Sequence, residues 1–186
     1  MRTRMLLSVV GVVALVLFGV RPAFAQQDEM RGDLAVSYSF MRDSDLGMNF
    51  GAGFALALTG DINKRLRFVG EFGGNFKTLH LTVATIRLDV VTYQGGFRYG
   101  LSPDAKVRPF VQMLAGGGRF KTTQVGVIGN FVTSNGFAVQ PGAGVDFKLT
   151  KRLDGRLQVD YRAIFTQGTL NEYRVMFGVA IPFGRR

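Results

Sequence analysis

Apolar and small or polar residues alternate along most of the chain with a period of two. From Met48 to Leu58 every second residue is Met, Phe, Ala or Leu, and the residues between them are Asn, Gly or Ala. Similar alternation runs through 137–149, 157–165 and 173–183. Successive side chains of a β-strand point to opposite faces, so this pattern predicts strands with one large apolar face and one small or polar face.

Extending the pattern over the rest of the chain predicts eight strands and no helix. Their expected bounds are 33–41, 46–58, 65–77, 86–99, 107–120, 137–149, 157–165 and 173–183. In the fourth strand Leu88 and Val90 fall on the wrong parity, which predicts a bulge or a strand end near Val90. The fifth strand is ambiguous, because Phe110 and Leu114 on one parity compete with Met113 on the other.

The links between the predicted strands alternate in character. Those at 59–64, 102–106 and 150–155 are compact and combine turn-forming Asp, Gly or Pro with a basic residue. The links after the third, fifth and seventh strands are more varied, and the longest is expected at 121–135. Short turns at one end and longer loops at the other are typical of transmembrane barrels.

The second face of the predicted strands lacks the residues that a water-facing surface needs. It carries many Gly and Ala residues, among them Gly51, Gly53, Gly142, Gly144 and Gly178. Glycine on an exposed strand costs stability, whereas small residues leave room inside a narrow closed barrel. We therefore expect the large apolar face, which carries most of the 17 Phe residues, to contact lipid.

A sheet that crosses a membrane has to close on itself, because lipid offers no hydrogen bonds to its edges. Eight strands form a small closed barrel whose interior is filled by side chains. The sequence thus predicts an all-β fold, a closed eight-stranded antiparallel up-and-down transmembrane β-barrel after an N-terminal signal peptide. The Tyr residues on its apolar face are expected near the membrane interfaces.

The start of the chain is expected to be a secretory signal peptide at 1–25. Arg2 and Arg4 precede an apolar run at 6–20, and Ala23 and Ala25 form a small-x-small cleavage motif. Cleavage after Ala25 would leave residues 26–186 as the barrel domain. The alternative is an uncleaved anchor, but the apolar run is shorter than the roughly 20 residues that a helical span needs.

Composition narrows the candidate chemistry. The 186-residue chain has no Cys and one His, which excludes a disulfide scaffold, Cys-based zinc sites, thiol catalysis and multi-His metal centres. No cofactor is expected. The formal net charge is +10, but an exported protein has little access to nucleic acid. Anionic lipid headgroups are therefore the better candidates for attraction to this charge.

Charged residues on the small-residue parity are expected inside the barrel. They are Arg67, Glu71, Arg98, Asp146, Lys148, Arg156, Asp160, Arg162 and Arg174. The turn at 150–155 places Asp146 opposite Arg156, and Asp160 and Arg174 fall on neighbouring strands. Buried charges need partners, so we expect a structural network of ion pairs that fills the lumen. The alternative is an ion or proton pathway, which so dense a network would block.

Three segments resemble small bacterial outer-membrane barrels of the OmpA-transmembrane and OmpX type. They are the closing strand at 173–183, the segment GFAVQPGAGVDF at 136–147 and the segment RLQVDYR at 156–162. The resemblance implies residence in the bacterial outer membrane and contact with outer-membrane lipids and lipopolysaccharide. It also implies a non-enzymatic structural or surface-interaction role. We expect a monomer, and the sequence identifies no surface partner.

The resemblance further implies a signal for the outer-membrane assembly machinery. Members of this family end in an aromatic residue preceded by alternating apolar residues. The matching positions here are Val175, Phe177, Val179, Ile181 and Phe183. Three residues follow Phe183, which departs from the family pattern.

Three other functions remain as alternatives. A soluble lipocalin-like carrier would turn its apolar face inward to enclose an apolar ligand. A lipid A-modifying enzyme would need His80, the only His, beside a Ser and an acid, but Ser102 is expected at the opposite end of the barrel. A narrow channel would need a lumen that its own ion pairs leave open.

Overall fold

The computed structural model describes residues 31–184 except 46, 81–84, 126–130, 151 and 167. The predicted signal peptide with its cleavage residues Ala23 and Ala25 lies outside these ranges. The strands are β1 Gly32–Asp43, β2 Met48–Phe50, β3 Ala52–Asp61, β4 Leu66–His80, β5 Thr85–Gly100, β6 Val107–Val125, β7 Phe131–Lys148, β8 Asp154–Phe165 and β9 Thr169–Phe183. Among the described residues, no helix combines the length and hydropathy needed to cross a membrane.

All the strands form one antiparallel sheet that closes into a barrel. From β3 to β9 each strand pairs with its neighbours in chain order. β9 pairs with the whole length of β1, from Gly32 to Asp43. β2 and β3 both pair with the other edge of β1 and share one strand position. The barrel therefore has eight strand positions, which confirms the predicted closed eight-stranded fold.

Alternate residues of each strand face outward or into the lumen, as the period of two predicts. Phe97 and Phe177 are 54% and 57% exposed on the outer surface. In β6, whose apolar face was ambiguous, Met113 faces outward and Phe110 and Leu114 are buried inside. The outer face is thus apolar, which is the reverse of the arrangement in a lipocalin-like carrier.

The strands are staggered around the barrel. Following paired residues once around the sheet from Arg31 leads back to β1 at Met41, a shift of ten residues along the strand. Strand number and stagger together set the radius of a barrel. With eight strands the interior is only wide enough for side chains to fill it.

The two ends of the barrel differ. The turn end holds the start of β1, the end of β9 and the compact connections 62–65, 101–106 and 149–153. The loop end holds the four other connections, and the longest strands, β5, β6 and β7, meet there. The long link expected at 121–135 is wrong, because β6 and β7 stay paired as far as Thr123 and Phe131. Residues 121–125 and 131–135 are strand residues of this extension.

Near the loop end the apolar residues of β5 move from the outer to the inner face. Tyr93 faces outward and Gln94 inward, but farther toward the loop end Arg87 is exposed and Leu88 and Val90 are buried. β5 pairs with both neighbours without interruption, so the bulge or strand end expected near Val90 is wrong. The parity changes because the outer surface there leaves lipid and meets water.

A bulge occurs at another place, between β2 and β3. Ser39 and Phe40 of β1 lie opposite the three residues that separate Phe50 from Phe54. The extra residue disrupts the pairing at Gly51, where the predicted second strand divides into two. A bulge of this kind bends the strand and increases its local twist.

The seam between β9 and β1 requires a glycine. A Cβ at Gly178 would lie 2.2 Å from the carbonyl oxygen of Val36 and 2.5 Å from the Cα of Ser37. A Cβ at Gly70 of β4 would meet nothing within 4 Å. These two positions therefore form a matched pair for the same substitution.

We expect Gly178→Ala to lower the free energy of unfolding by about 1–3 kcal/mol, the range for overpacking a tight site. Gly70→Ala should change it by less than about 0.5 kcal/mol. Urea unfolding in lipid vesicles, followed by circular dichroism, measures both values. Equal effects of the two substitutions would contradict the close approach at the seam.

Candidate functional site

The lumen is the candidate site, and its turn end holds a cluster of ion pairs. Arg156 donates from Nη2 to Asp33 Oδ1 over 3.0 Å and from Nε to Asp146 Oδ1 over 2.7 Å. Arg67 joins the cluster through Asp33 Oδ2 at 3.0 Å and Asp61 Oδ1 at 2.9 Å. Asp146 and Arg156 are direct partners in the β7–β8 register, which is why the sequence predicts this pair.

The middle of the lumen is organised by Arg174. Its Nη2 contacts Glu71 Oε1 and lies 2.9 Å from Asp160 Oδ2. Gln140 donates to the same oxygen of Glu71 over 3.2 Å, and Gln158 donates to both oxygens of Asp160 over 3.0 Å. β4 and β9 are not neighbours in the sheet, so Glu71 and Arg174 meet across the lumen.

Toward the loop end the network finishes with Arg162. Its Nε lies 2.6 Å from Glu172 Oε2, and its Nη1 donates to Thr92 Oγ1 over 2.9 Å. An apolar cluster follows and fills the lumen beyond these charges. Its buried members are Met41, Phe50, Leu88, Val90, Ala138 and Ile164.

The arrangement fills the barrel rather than opening it. Arg156, Arg162, Arg174 and their carboxylate partners are all buried within the described structure. A solvated ion passing along the lumen would have to displace these paired charges and then cross the apolar cluster. The geometry therefore favours a structural role for the network over conduction.

The structure places most of the charged residues predicted for the lumen on its inner surface. Glu71, Arg98, Asp146, Arg156, Asp160, Arg162 and Arg174 are buried, and Arg67 is half-buried. Lys148 differs from the prediction, because it is the last residue of β7 and its side chain is exposed at the rim. It has the correct parity, but it is the last residue of the β7–β8 pairing at the turn end.

Sequence reasoning missed several members of the network. Asp33 and Arg108 are buried at the turn end, where Arg108 Nη2 lies 2.5 Å from Asp154 Oδ2. Glu172 is fully buried although it precedes the predicted start of the last strand. Asp33 lies within the predicted first strand on the small-residue parity, so its position there could have identified it. Glu172 has the inward parity of β9 and lies one residue before the predicted start of that strand.

The residues of the expected assembly signal lie on the outer face of β9. Val175, Phe177, Val179 and Ile181 are exposed there, and Phe183 is half-buried where β9 ends opposite Gly32. β9 is also the strand that closes the barrel against β1. Its recognition by the assembly machinery stays a prediction.

Among the described residues, no Ser and acid pair lies beside His80. His80 is exposed at the loop end, and its Nδ1 lies 3.3 Å from Thr85 Oγ1. Ser102 belongs to a connection at the turn end. In the described ranges, no group of His, Cys, Asp or Glu side chains is suited to hold a metal ion.

Comparisons with known proteins agree with this architecture. A family model described as "Outer membrane protein beta-barrel domain" matches residues 10–183. Neisserial surface protein A (NspA) aligns with a TM-score of 0.62 and 16% identity, covering 83% of this chain and 97% of NspA. A major outer membrane protein from Thermus thermophilus gives a TM-score of 0.61 and 14% identity, covering 83% of this chain and 99% of that protein.

A third similar structure is Ail of Yersinia pestis, solved with the heparin analogue sucrose octasulfate. It aligns with a TM-score of 0.58 and 15% identity, covering 83% of this chain and 99% of Ail. At these identities the likeness shows the fold alone. No curated protein sequence matches the chain. The family match places the protein in the bacterial outer membrane.

We expect Arg174→Met to lower the free energy of unfolding by about 3–5 kcal/mol, because it leaves the carboxylates of Glu71 and Asp160 buried without their cation. Lys148→Met is the matched control, since it removes one positive charge at the exposed rim and should cost less than about 0.5 kcal/mol. Adding Glu71→Gln to Arg174→Met should recover part of the loss. Urea unfolding in lipid vesicles measures all three, and a loss in Arg174→Met no larger than in the control would refute the role of the network.

Proposed function

The chain belongs to the outer-membrane protein β-barrel domain family, and from this premise we propose that it is a non-enzymatic barrel that presents its loop end at the cell surface. Its role in the envelope is structural or one of surface interaction. The outward-facing apolar side chains of the strands, such as Phe97 and Phe177, form an apolar belt around the barrel. The observation that carries the proposal is that β5, β6 and β7 stay paired beyond this belt, above a lumen that side chains fill.

The extension is long enough to project from the membrane. The outward residues of β6 change from apolar to charged at Arg119, and the strand continues to Val125. At about 3.3 Å per residue these positions span roughly 20 Å along the strand. Hydrogen-bonded strands hold the extension in shape, so it offers a fixed surface to a partner rather than a flexible loop.

The closed lumen supports a role that does not depend on transport. Ion pairs occupy its turn end and middle, and the apolar cluster occupies its loop end. Acyl transfer or hydrolysis also lacks support, because the described neighbour that His80 contacts is Thr85 and not a Ser–acid pair. These two points favour the envelope role over the channel and enzyme alternatives.

We propose three partners for the barrel itself. Lipid chains cover its apolar belt. Arg119 faces outward beyond that belt, and Arg87 faces outward four register positions closer to the loop end. Outward cations above the lipid chains attract the phosphates of lipopolysaccharide. The outer face of β9 is the surface that the assembly machinery would recognise. The unit that functions is the monomer, because β1–β9 pairing closes the sheet within one chain.

The orientation can be tested with single cysteines, because the chain contains none. On intact cells, a membrane-impermeant maleimide should label Arg87→Cys at the loop end. Asp104→Cys, equally exposed but at the turn end, should be labelled only after the outer membrane is permeabilised. The reverse labelling pattern would refute a loop end at the cell surface.

Planar-bilayer recordings test the closed lumen. We expect the purified protein to give no stable single-channel conductance, because paired charges and the apolar cluster fill the path. A correctly folded sample is identified by its heat-modifiable migration in gels. Reproducible ion-selective steps from such a sample would favour the channel alternative instead.

A further inference from the structure

A small recess rich in positive charge opens at the turn end of the barrel. It lies between the β3–β4 and β5–β6 connections, and the space that the centre of a water molecule can occupy in it is about 30 Å³. The charged residues that line it are Lys64, Arg65, Arg67, Arg98, Arg108 and Asp146. Five of the six are cations, so the charge of the recess favours an anion over a cation.

Arg98 is the unusual member of this group. Its side chain is 1% exposed, yet within the described structure it makes no salt bridge with a carboxylate. Its Nε and Nη2 donate to Gln112 Oε1 over 3.0 and 2.7 Å, and its guanidinium lies 4.0 Å from the centre of the Phe110 ring. Its Nη1 has no hydrogen-bond partner. This buried guanidinium therefore keeps a donor that an anion could satisfy.

The single carboxylate of the recess is hydrogen-bonded to a different cation. Asp146 receives two hydrogen bonds from Arg156, at 2.7 and 3.1 Å. Arg108 uses its Nη2 for Asp154, while its Nε has no hydrogen-bond partner. The recess therefore retains unpaired guanidinium donors after its ion pairs are counted.

The neighbouring exposed cations add to this excess. Lys64 and Arg65 stand in the β3–β4 connection at the mouth of the recess, and neither forms a salt bridge in the part of the chain that the structure describes. Arg65 donates from Nη1 to the hydroxyl of Tyr99 over 3.3 Å, which holds it beside the opening. An anion entering from solvent meets these two cations first.

We propose that this recess binds a phosphate group, with Arg98 as its buried charge and Arg108, Lys64 and Arg65 around it. Guanidinium groups match phosphate oxygens in geometry and form strong charge-assisted hydrogen bonds with them. The limited space suits one terminal group and not a sugar or a peptide. The phosphate comes either from free inorganic phosphate or from the headgroup of a phospholipid at the rim, and the site itself is the same whichever side of the membrane the turn end faces.

Isothermal titration of the purified full-length protein in a neutral detergent tests the site, with sodium phosphate as the probe at constant ionic strength. We expect saturable binding by the native chain. Arg98→Gln should weaken it on the order of tenfold, the effect of losing one charge-assisted hydrogen bond. The double variant Lys64→Gln with Arg65→Gln should also weaken phosphate binding. It changes only exposed residues, so it tests the site even if Arg98→Gln fails to fold.

Arg152→Gln is the matched control, because Arg152 is exposed at the same end but does not line the recess. It should bind phosphate as the native chain does. Displacement of bound phosphate by a short-chain phosphatidylglycerol, but not by phosphatidylcholine, would support the site and identify a headgroup as the source. Failure of both lipids to displace it would support the site with free phosphate as ligand. No saturable binding, or equal weakening by Arg152→Gln, would overturn the proposal.

Discussion

The structure depends on one constraint, which is that backbone N–H and C=O groups in lipid find no partner outside the protein. A sheet in that environment cannot keep an edge, so the last strand has to pair with the first. The β1–β9 register meets this requirement from Gly32 opposite Phe183 to Asp43 opposite Glu172. Gly178 allows the two backbones to approach at this seam, because any larger residue would meet the backbone of Val36 and Ser37.

The same strands meet two environments, and their side chains change sides accordingly. Within the apolar belt the large side chains face lipid and the lumen is polar, as at Tyr93 and Gln94 of β5. Beyond the belt the outer surface meets water, so Arg87 faces outward while Leu88 is buried inside. The loop-end extension is thus apolar inside and polar outside, as in a soluble protein, whereas the membrane-spanning part has the reverse arrangement. This explains why the apolar cluster of the lumen lies at the loop end.

The sequence predicted the strands and their faces well, because a period of two survives in each strand that crosses the belt. The prediction failed at Val90 and at 121–135, because it assumed that lipid surrounds each strand along its whole length. Where the outer surface meets water instead, the apolar residues change face, and this change was interpreted as a bulge at Val90 and as a loop at 121–135. Asp146 and Arg156 were predictable as a pair across a short turn of known register. Glu71 and Arg174 were not, because they meet across the lumen and their contact depends on the stagger of the closed barrel.

That dependence gives the lumen charges a second role, in fixing the register. Lipid tails contact the outer Phe and Val side chains equally well when a strand slides by two residues, because such a slip preserves parity. The apolar belt therefore selects the faces of the strands but not their stagger. A slip of two residues in β9 would carry Arg174 away from Glu71 and Asp160 and leave buried charges unpaired. We infer that the ion pairs, rather than the hydrophobic surface, distinguish the native register from its neighbours, which is why a barrel held in lipid keeps so many charges in its centre.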